Sequence, residues 1–227
     1  MQELARNQIL TESNEQVPLV PALFLFTQNA IEPYCFFMET IPQVQLETQR
    51  LLLRTPHMSD AQAIFEGYAR QSEVARWLPF DPHQQISETL EFLEHILETE
   101  ARGQRENFAL IRRKDEAFMG MMNWRPCGHY GEIGYALDRT FWGQGYMPEA
   151  VRRIMKRAFE QPKIQRLQAL TLVGNRASQR VLTKVGFQRE GTLRNYIYFQ
   201  NKDQVFDAVM WGITKNEFDK QDKEPTE

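Results

Sequence analysis

The sequence predicts a mixed α/β fold, in which a mostly antiparallel central sheet of about six to seven strands carries helices on both faces. Short apolar strands and amphipathic helices alternate from Gln49 onward. Two strands in the middle of the chain are joined by a hairpin-like turn at Lys114 and Asp115. From Ile133 to Ile213 the pattern is strand, helix, strand, helix and two strands, which favours a layered α/β arrangement.

The first half of the domain is predicted to be mainly helical after one short strand, Leu51–Arg54. Ser59 precedes a helical pattern, and Gln62 stands three residues later, so we expect a capping box there. A short turn ending at Pro79 follows. The next helix is predicted from Ile86 to Arg102, because its leucines and isoleucines follow a helical period and a glycine comes directly after it.

The second half combines strands with two helices, Pro148–Glu160 and Asn175–Val185, and the second is closed by Gly186. The predicted strands are Phe108–Arg112, Phe118–Trp124, Ile133–Leu137, Leu167–Leu172, Thr192–Phe199 and Val205–Ile213.

Both ends of the chain differ from this pattern. Residues 46–218 are predicted to form the domain, and residues 1–45 form an N-terminal extension without clear periodicity. Translation starting at Met38 would make the preceding residues an artefact, whereas a genuine extension would be an arm that packs on the domain or on a partner subunit. The charged residues 219–227 are expected to form a frayed tail.

The composition excludes several protein classes. The chain has 227 residues, 42% of them hydrophobic and 25% charged, which is typical of a soluble globular protein. A net charge of -3 does not predict a nucleic-acid partner. Two distant cysteines, Cys35 and Cys127, predict neither a metal site nor a disulfide framework. The apolar run Pro21–Phe26 is too short to span a membrane and follows acidic residues, so we expect a cytoplasmic protein without a membrane partner.

A glycine-containing loop separates the strand at Ile133 from the helix at Pro148. Gly143 and Gly145 permit close approach to the main chain, and the helix start directs free N–H groups and a partial positive charge at one point. Such a loop suits a diphosphate, although it lacks the GK[ST] and GxGxxG patterns of the commoner phosphate loops. A loop that merely turns tightly is the alternative.

The chain from about Leu46 to Phe218 resembles the GNAT superfamily of N-acetyltransferases, specifically the RimJ/RimL type. The motifs that carry this resemblance are T-Q-R-L-L-L-R, E-V-A-R-W-L, E-I-G-Y-A-L-D, F-W-G-Q-G-Y-M-P-E-A, N-x-x-S and V-G-F-Q-R-E-G-T-L-R. They occur in the family's order and span roughly three quarters of the chain.

The resemblance implies the GNAT fold and an acetyl-CoA site, with no metal. In this family the strand Ile133–Leu137 splays from its neighbour, the thioester and pantetheine arm lie in the gap, and the loop holds the pyrophosphate. Two departures from the family pattern are Thr140, at the first position of the loop motif, and Met147-Pro148 in place of a small pair. The cofactor-binding residues implied are Tyr135, Ala136, Leu137, Trp142, Gly143, Gln144, Gly145, Tyr146, Met147 and Asn175.

Two residues are candidates for catalysis. Ser178 stands where its hydroxyl is expected to face the cofactor sulfur, and many GNAT enzymes place a tyrosine on this helix, where this chain has Leu182. Its alternative role is hydrogen bonding at the start of the helix. Glu132 begins the splayed strand and is a candidate base, directly or through water. Its alternative is a solvated strand end.

Aromatic residues are candidates for the wall of the acceptor pocket, namely Trp77, Phe80 and Trp124, with the core as their alternative position. The four histidines are scattered, and none is assigned a chemical role.

The sequence thus predicts a transfer of acetyl from acetyl-CoA to a primary amine by direct attack in a ternary complex, with a ribosomal-protein-type N-terminal α-amine as acceptor. Two alternatives stay open: acetylation of a small-molecule amine, and a non-catalytic sensor that binds acetyl-CoA. A homodimer is common in this group of proteins.

Overall fold

The computed structural model of the protein describes residues 43–223, so the predictions for Met38 and for most of the N-terminal extension lie outside the described residues. One sheet of eight strands runs through this part of the chain, in the order β1-β2-β3-β4-β5-β6-β8-β7. The strands are β1 Gln45–Glu47, β2 Leu51–Arg54, β3 Glu106–Arg112, β4 Ala117–Cys127, β5 Tyr130–Leu137, β6 Arg166–Leu172, β7 Gln188–Phe199 and β8 Gln204–Thr214.

Helices cover both faces of this sheet. Within residues 43–223, none of them is both long and apolar enough to cross a bilayer. The helices are α1 Ala61–Ile64, which continues into a π-helical turn at Phe65–Ala69, α2 Ser72–Ala75, α3 Ile86–Ala101, α4 Tyr146–Phe159, α5 Arg176–Lys184 and α6 Lys215–Lys223.

The sheet is antiparallel except between β5 and β6, which confirms the predicted class. These two strands pair only over the short stretch Tyr130–Glu132, opposite Arg166–Gln168. From Ile133 onward β5 keeps its pairing with β4 but has none with β6. The splayed strand pair is therefore present, and it opens toward the loop that precedes α4.

The two faces of the sheet have separate cores. One core lies under α4 and α5 and includes Met122 and Trp124 of β4. The other lies under α1, α2 and α3 and includes Met121 of the same strand. Because successive side chains of a strand point to opposite faces, β4 contributes alternately to both cores. The neighbouring Asn123 consequently faces the side of α1–α3.

Strand β1 is the element that raises the strand count above the predicted number. It has three residues and pairs with β2, with Leu46 opposite Leu53. Leu46 is the buried residue of this strand. Three residues are too few to show a strand period in the sequence.

The predicted capping box of Ser59 and Gln62 is wrong. A short 3₁₀ turn, Met58–Asp60, precedes α1, and the Asp60 carboxylate accepts a hydrogen bond from the backbone N–H of His57 at 2.8 Å. Arg54 donates to the same carboxylate at 2.6 and 2.8 Å. Gln62 instead donates to Glu66 at 2.6 Å, one helical turn onward. The ion pair with Arg54 selects Asp60 as the residue that reaches back to the start of the turn.

The predicted frayed tail after residue 218 is also wrong as far as residue 223, because α6 continues through Lys223. Thr214 and Glu217 form the hydrogen bonds of a capping box: the Glu217 carboxylate accepts from Thr214 N at 2.8 Å, and Thr214 Oγ1 accepts from Glu217 N at 3.3 Å. The Phe218 ring packs 5.1 Å from that of Phe159 on α4. The cap and this contact explain why a largely exposed, charged segment is helical.

Candidate active site

The loop between β5 and α4 gathers free backbone donors. Gly143 and Gly145 adopt left-handed φ angles of 76° and 78°, which residues with a side chain rarely adopt, and α4 begins directly afterwards at Tyr146. Within the described part of the chain, the N–H groups from Gly143 to Met147 have no hydrogen-bond acceptor. Donors that converge at a helix N-terminus fit the diphosphate of coenzyme A.

A network from the turn between β1 and β2 braces this loop. Glu149 in the first turn of α4 accepts hydrogen bonds from Thr48 Oγ1 at 2.5 Å, from Arg50 N at 2.9 Å and from Arg50 Nε at 2.6 Å. Arg50 also donates from Nη1 to the Gln144 carbonyl at 3.0 Å and lies 4.4 Å from the centre of the Tyr146 ring. Burial alone would raise the pKa of Glu149, but these donors outweigh it and lower that pKa, so the brace stays charged.

The other side of the loop is held by Asp138. Its carboxylate accepts from Thr140 N at 2.8 Å and from Thr140 Oγ1 at 3.0 Å. The Trp142 indole donates to the Leu137 carbonyl at 2.8 Å. The hydroxyl of Thr140, the first departure from the family pattern, is therefore engaged in shaping the loop.

A cavity of about 530 Å³ extends from this loop through the gap between β5 and β6 to the face of α1–α3. Two predicted cofactor residues do not line it: Gln144 turns its side chain to the Thr140 carbonyl at 2.9 Å, and the Tyr146 ring packs beneath Arg50. Their backbone N–H groups nevertheless belong to the loop. The predicted cofactor residues that line the cavity are Tyr135, Ala136, Leu137, Trp142, Gly143, Gly145, Met147 and Asn175.

Ser178 lies on the cavity wall beside Tyr135. Asn175 caps α5 by accepting from Ser178 N at 3.1 Å, so the helix-start role belongs to Asn175 and the Ser178 hydroxyl is free for another partner. That partner is Tyr135, whose Oη lies 2.8 Å from Ser178 Oγ and 3.3 Å from the Ser178 carbonyl oxygen. Burial raises the pKa of Tyr135, which keeps its hydroxyl protonated. A tyrosine from β5 thus presents its hydroxyl to Ser178 on α5, whereas Leu182, one turn later on the same helix, is buried and has no hydroxyl.

Glu132 is buried at the closed end of the strand pair, so it is not a solvated strand end. One carboxylate oxygen pairs with Arg125, and the other accepts from Gln168 Nε2 at 2.9 Å. The residue does not line the cavity. Its position favours a role in joining β4, β5 and β6, and the base role remains a prediction.

The predicted pocket aromatics separate into two groups. Trp77 and Phe80 line the cavity at the α1–α3 face. Trp124 is fully buried in the opposite core, and its indole donates to Glu106 at 2.9 Å, so its assignment to the pocket wall is wrong. The alternation along β4 places the Trp124 side chain on the opposite side of the sheet from Asn123, where it packs in the core under α4 and α5.

Two asparagines in the cavity were not identified from the sequence. Asn107 and Asn123 are directly opposite each other on β3 and β4, and both line the cavity. No aspartate or glutamate lines the described cavity, and no cluster of metal-ligating side chains occurs within residues 43–223. The acceptor side of the cavity is therefore aromatic and apolar, with neutral carboxamides as its floor.

Comparisons with known proteins agree with this geometry. Residues 50–188 match the family model described as acetyltransferase (GNAT) domain. The chain is 26% identical to the [ribosomal protein uS5]-alanine N-acetyltransferase of Escherichia coli (strain K12), over 76% of this chain and 94% of that protein. A GNAT-family acetyltransferase structure from Bacillus anthracis is 25% identical, with a TM-score of 0.67 over 77% of this chain and all of its own. RimL, a ribosomal L7/L12 α-N-protein acetyltransferase solved in complex with coenzyme A, has the same fold at 22% identity, with a TM-score of 0.63 over 74% of this chain and 95% of its own.

Proposed function

The chain belongs to the GNAT family of acetyl-CoA-dependent N-acetyltransferases, and on this basis we propose that its acceptor is the α-amine of a protein N-terminus. The observation that carries the proposal is the continuous cavity, which joins the loop at Gly143 to an acceptor side without carboxylates. The similarity of the chain to a ribosomal-protein-alanine N-acetyltransferase supports the same acceptor class.

The absence of a carboxylate from the described cavity bears on the acceptor. Attack on a thioester requires an uncharged amine. An α-amine has a pKa near 8, so about a tenth of it is neutral at pH 7, whereas a lysine side chain near 10.4 is roughly a hundredfold less neutral. A site without a base on the cavity wall therefore suits an α-amine better than a lysine or a polyamine.

The residues that would hold acetyl-CoA follow from the site geometry. The N–H groups of the Gly143–Met147 loop face the pyrophosphate, and Arg50 and Glu149 keep the loop in place. Asn175 and the edge of β5 between Ile133 and Leu137 lie along the gap that receives the pantetheine arm. This arrangement uses main-chain donors, so the Met147-Pro148 departure leaves it intact.

Ser178 is the proton donor in this proposal. Acetyl-CoA supplies an activated acetyl group, and the amine nitrogen forms a bond to the acetyl carbon as the carbon–sulfur bond breaks. The nitrogen loses one proton to water, and the sulfur gains one from the Ser178 hydroxyl, which is reprotonated from solvent. Tyr135 Oη lies 2.8 Å from Ser178 Oγ, and either hydroxyl can donate in this pair. In this proposal Tyr135 is the donor, so that the serine proton is available to the sulfur. Positioning of the two reactants supplies most of the remaining rate.

The test is thiol release from acetyl-CoA with a panel of amines. We expect a lysine-free peptide with a free N-terminus to react at least about tenfold more efficiently than the same peptide blocked at the N-terminus and carrying one lysine, because of the difference in neutral amine. Preference for spermidine or an amino sugar would contradict the proposed acceptor and indicate a small-molecule enzyme. Tight binding of acetyl-CoA without release to any amine would indicate a sensor.

A further inference from the structure

We infer that Asn123 binds the first residue of the acceptor, accepting a hydrogen bond from the amine and donating one to the adjacent carbonyl. This inference rests on the proposed function and extends it, since it makes an α-amine followed by a carbonyl the recognised unit. Asn123 belongs to none of the sequence motifs discussed above.

The position of Asn123 is the first argument. In the sheet it stands between Asn107 on β3 and Gly134 on β5. A methyl group placed on Gly134 would lie 3.5 Å from Asn123 Nδ2 and 3.6 Å from Oδ1, so the carboxamide extends across the bare backbone of β5. Pairing of β5 with β6 ends at Glu132, two residues before Gly134. The carboxamide is therefore adjacent to the opening through which the cavity passes from one face to the other.

The hydrogen-bonding state of Asn123 is the second argument. The residue is 9% exposed, and its side chain has no hydrogen-bond partner within the described part of the chain. Polar groups in such positions are nearly always hydrogen-bonded, so this carboxamide takes its partners from the cavity, either water or a ligand that displaces the water. Since Asn123 lines the cavity wall, its polar atoms are accessible to a ligand there.

The neighbouring asparagine provides an internal comparison. Asn107 is buried more deeply, at 1% exposed, and Glu100 of α3 accepts from both its backbone N–H and its side-chain Nδ2, each at 2.9 Å. Asn107 is thus fixed by the protein itself and forms a rigid part of the floor. Of the two carboxamides, Asn123 is the one whose hydrogen-bonding capacity is unused.

The chemistry of a carboxamide defines what it recognises. It presents one acceptor and one donor side by side. The first residue of a peptide presents the complementary pair, an amine N–H and a carbonyl oxygen. Because the carboxamide is neutral, it favours the ammonium form, whose lone pair is unavailable for attack, less than a carboxylate would. A simple alkylamine satisfies only half of this site.

The test compares two acceptors with two variants of the full-length protein. The acceptors are a lysine-free tripeptide with N-terminal alanine and the same compound with its first carbonyl reduced to a methylene. Because loss of the carbonyl also makes the amine more basic, the two acceptors are compared at equal concentrations of the neutral primary amine. We expect the wild type to prefer the peptide by about tenfold or more under these conditions. Asn123→Leu, which keeps the size but removes both polar atoms, should lower kcat/KM for the peptide by about 30-fold and for the reduced compound by much less. The dissociation constant of acetyl-CoA should change less than about twofold.

Asn123→Asp is the matched variant, because it keeps the shape and an acceptor oxygen but loses the donor. Its negative charge favours the ammonium form of both acceptors, so the readout is the ratio of the two acceptors and not either rate alone. The variant should lose the preference for the peptide over the reduced compound while still using both amines. If circular dichroism shows that Asn123→Leu is not folded, Asn123→Asp provides the test of the role of Asn123.

Three results would overturn the inference: a loss below about threefold with the peptide, equal losses with both acceptors, or a parallel loss of acetyl-CoA affinity. A wild type that binds acetyl-CoA but acetylates no peptide would instead contradict the proposed function itself. Peptide acetylation that is insensitive to Asn123 would contradict only the role of this residue.

Discussion

The pairing of Ser178 with Tyr135 shows how one hydrogen bond defines a residue's chemistry. Asn175 already caps the helix, so Ser178 is not needed for that purpose. Its hydroxyl lies 2.8 Å from a tyrosine that burial keeps protonated. A serine that accepts from this tyrosine has its own proton available for a leaving thiolate.

Replacement of Ser178 by alanine should therefore lower kcat by about 10- to 100-fold, a loss within or just below the usual range for a general acid. Acetyl-CoA affinity, measured by calorimetry, should be nearly unchanged, because the hydroxyl is needed in the chemical step. The exposed Ser59 provides the control, and Ser59→Ala should behave as wild type. Unchanged turnover in Ser178→Ala would remove Ser178 from the mechanism.

Apart from Phe80, the individual site residues that were predicted correctly belong to motifs. Ser178, Asn175 and the loop glycines belong to motifs and line the cavity. The side chains of Gln144 and Tyr146 belong to the same loop motif but do not line it. Asn123 and Trp124 are adjacent in an apolar run, and the sequence does not reveal which of them faces the cavity. The answer depends on the register of β4 against β5, which is fixed by long-range pairing.

The hydrogen bonds of Thr48 and Arg50, just before β2, to Glu149 of α4 form a brace that holds the loop in place. Arg50 and Glu149 are far apart in the sequence but connect the sheet to the first turn of the helix. Arg50 is part of the motif at the first predicted strand, yet a motif does not indicate which residue it pairs with. The loop geometry is thus a property of two elements together.

Arg50→Met should weaken acetyl-CoA binding by about tenfold, since the loop then loses its contact with the Gln144 carbonyl and part of its hold on Glu149. Saturating acetyl-CoA should restore most of the turnover, because Arg50 does not line the main cavity. Arg102→Met is the matched control, as Arg102 is largely exposed and makes only a 3.7 Å ion pair with Glu98. Equal acetyl-CoA affinities for the two variants would contradict the brace.

Most elements of the domain were predictable because their periods are strong, whereas short or exposed ones were not. The helix from Ile86 and the strand at Leu51 begin at the predicted residues. Strand β1 was missed because its stability comes from pairing with β2. Helix α6 was missed although its capping box, Thr214 to Glu217, is visible in the sequence. The charged composition of this segment favoured a frayed tail over a helix.

The whole molecule combines two features that the sequence indicated separately. The loop is visible as glycines before a helix, but the gap between β5 and β6 is a property of the sheet, known beforehand only through the family resemblance. The loop and the gap open into one cavity, which extends to the face of the sheet where Trp77 lies. In the proposed function, this continuity would allow acetyl-CoA and an acceptor to meet from opposite faces of the sheet.

Isothermal titration of the full-length protein with acetyl-CoA tests this account most directly. The wild type should bind one acetyl-CoA per chain, and Gly145→Trp should bind none. A side chain at this left-handed position, with φ 78°, is strained, and its Cβ would lie 3.5 Å from Arg50 Nη2, so the indole disturbs both the loop and the arginine that holds it. Circular dichroism of the variant confirms that it is folded. Lack of binding by the folded wild type, or equal affinity in Gly145→Trp, would contradict the assignment of the loop as the diphosphate site.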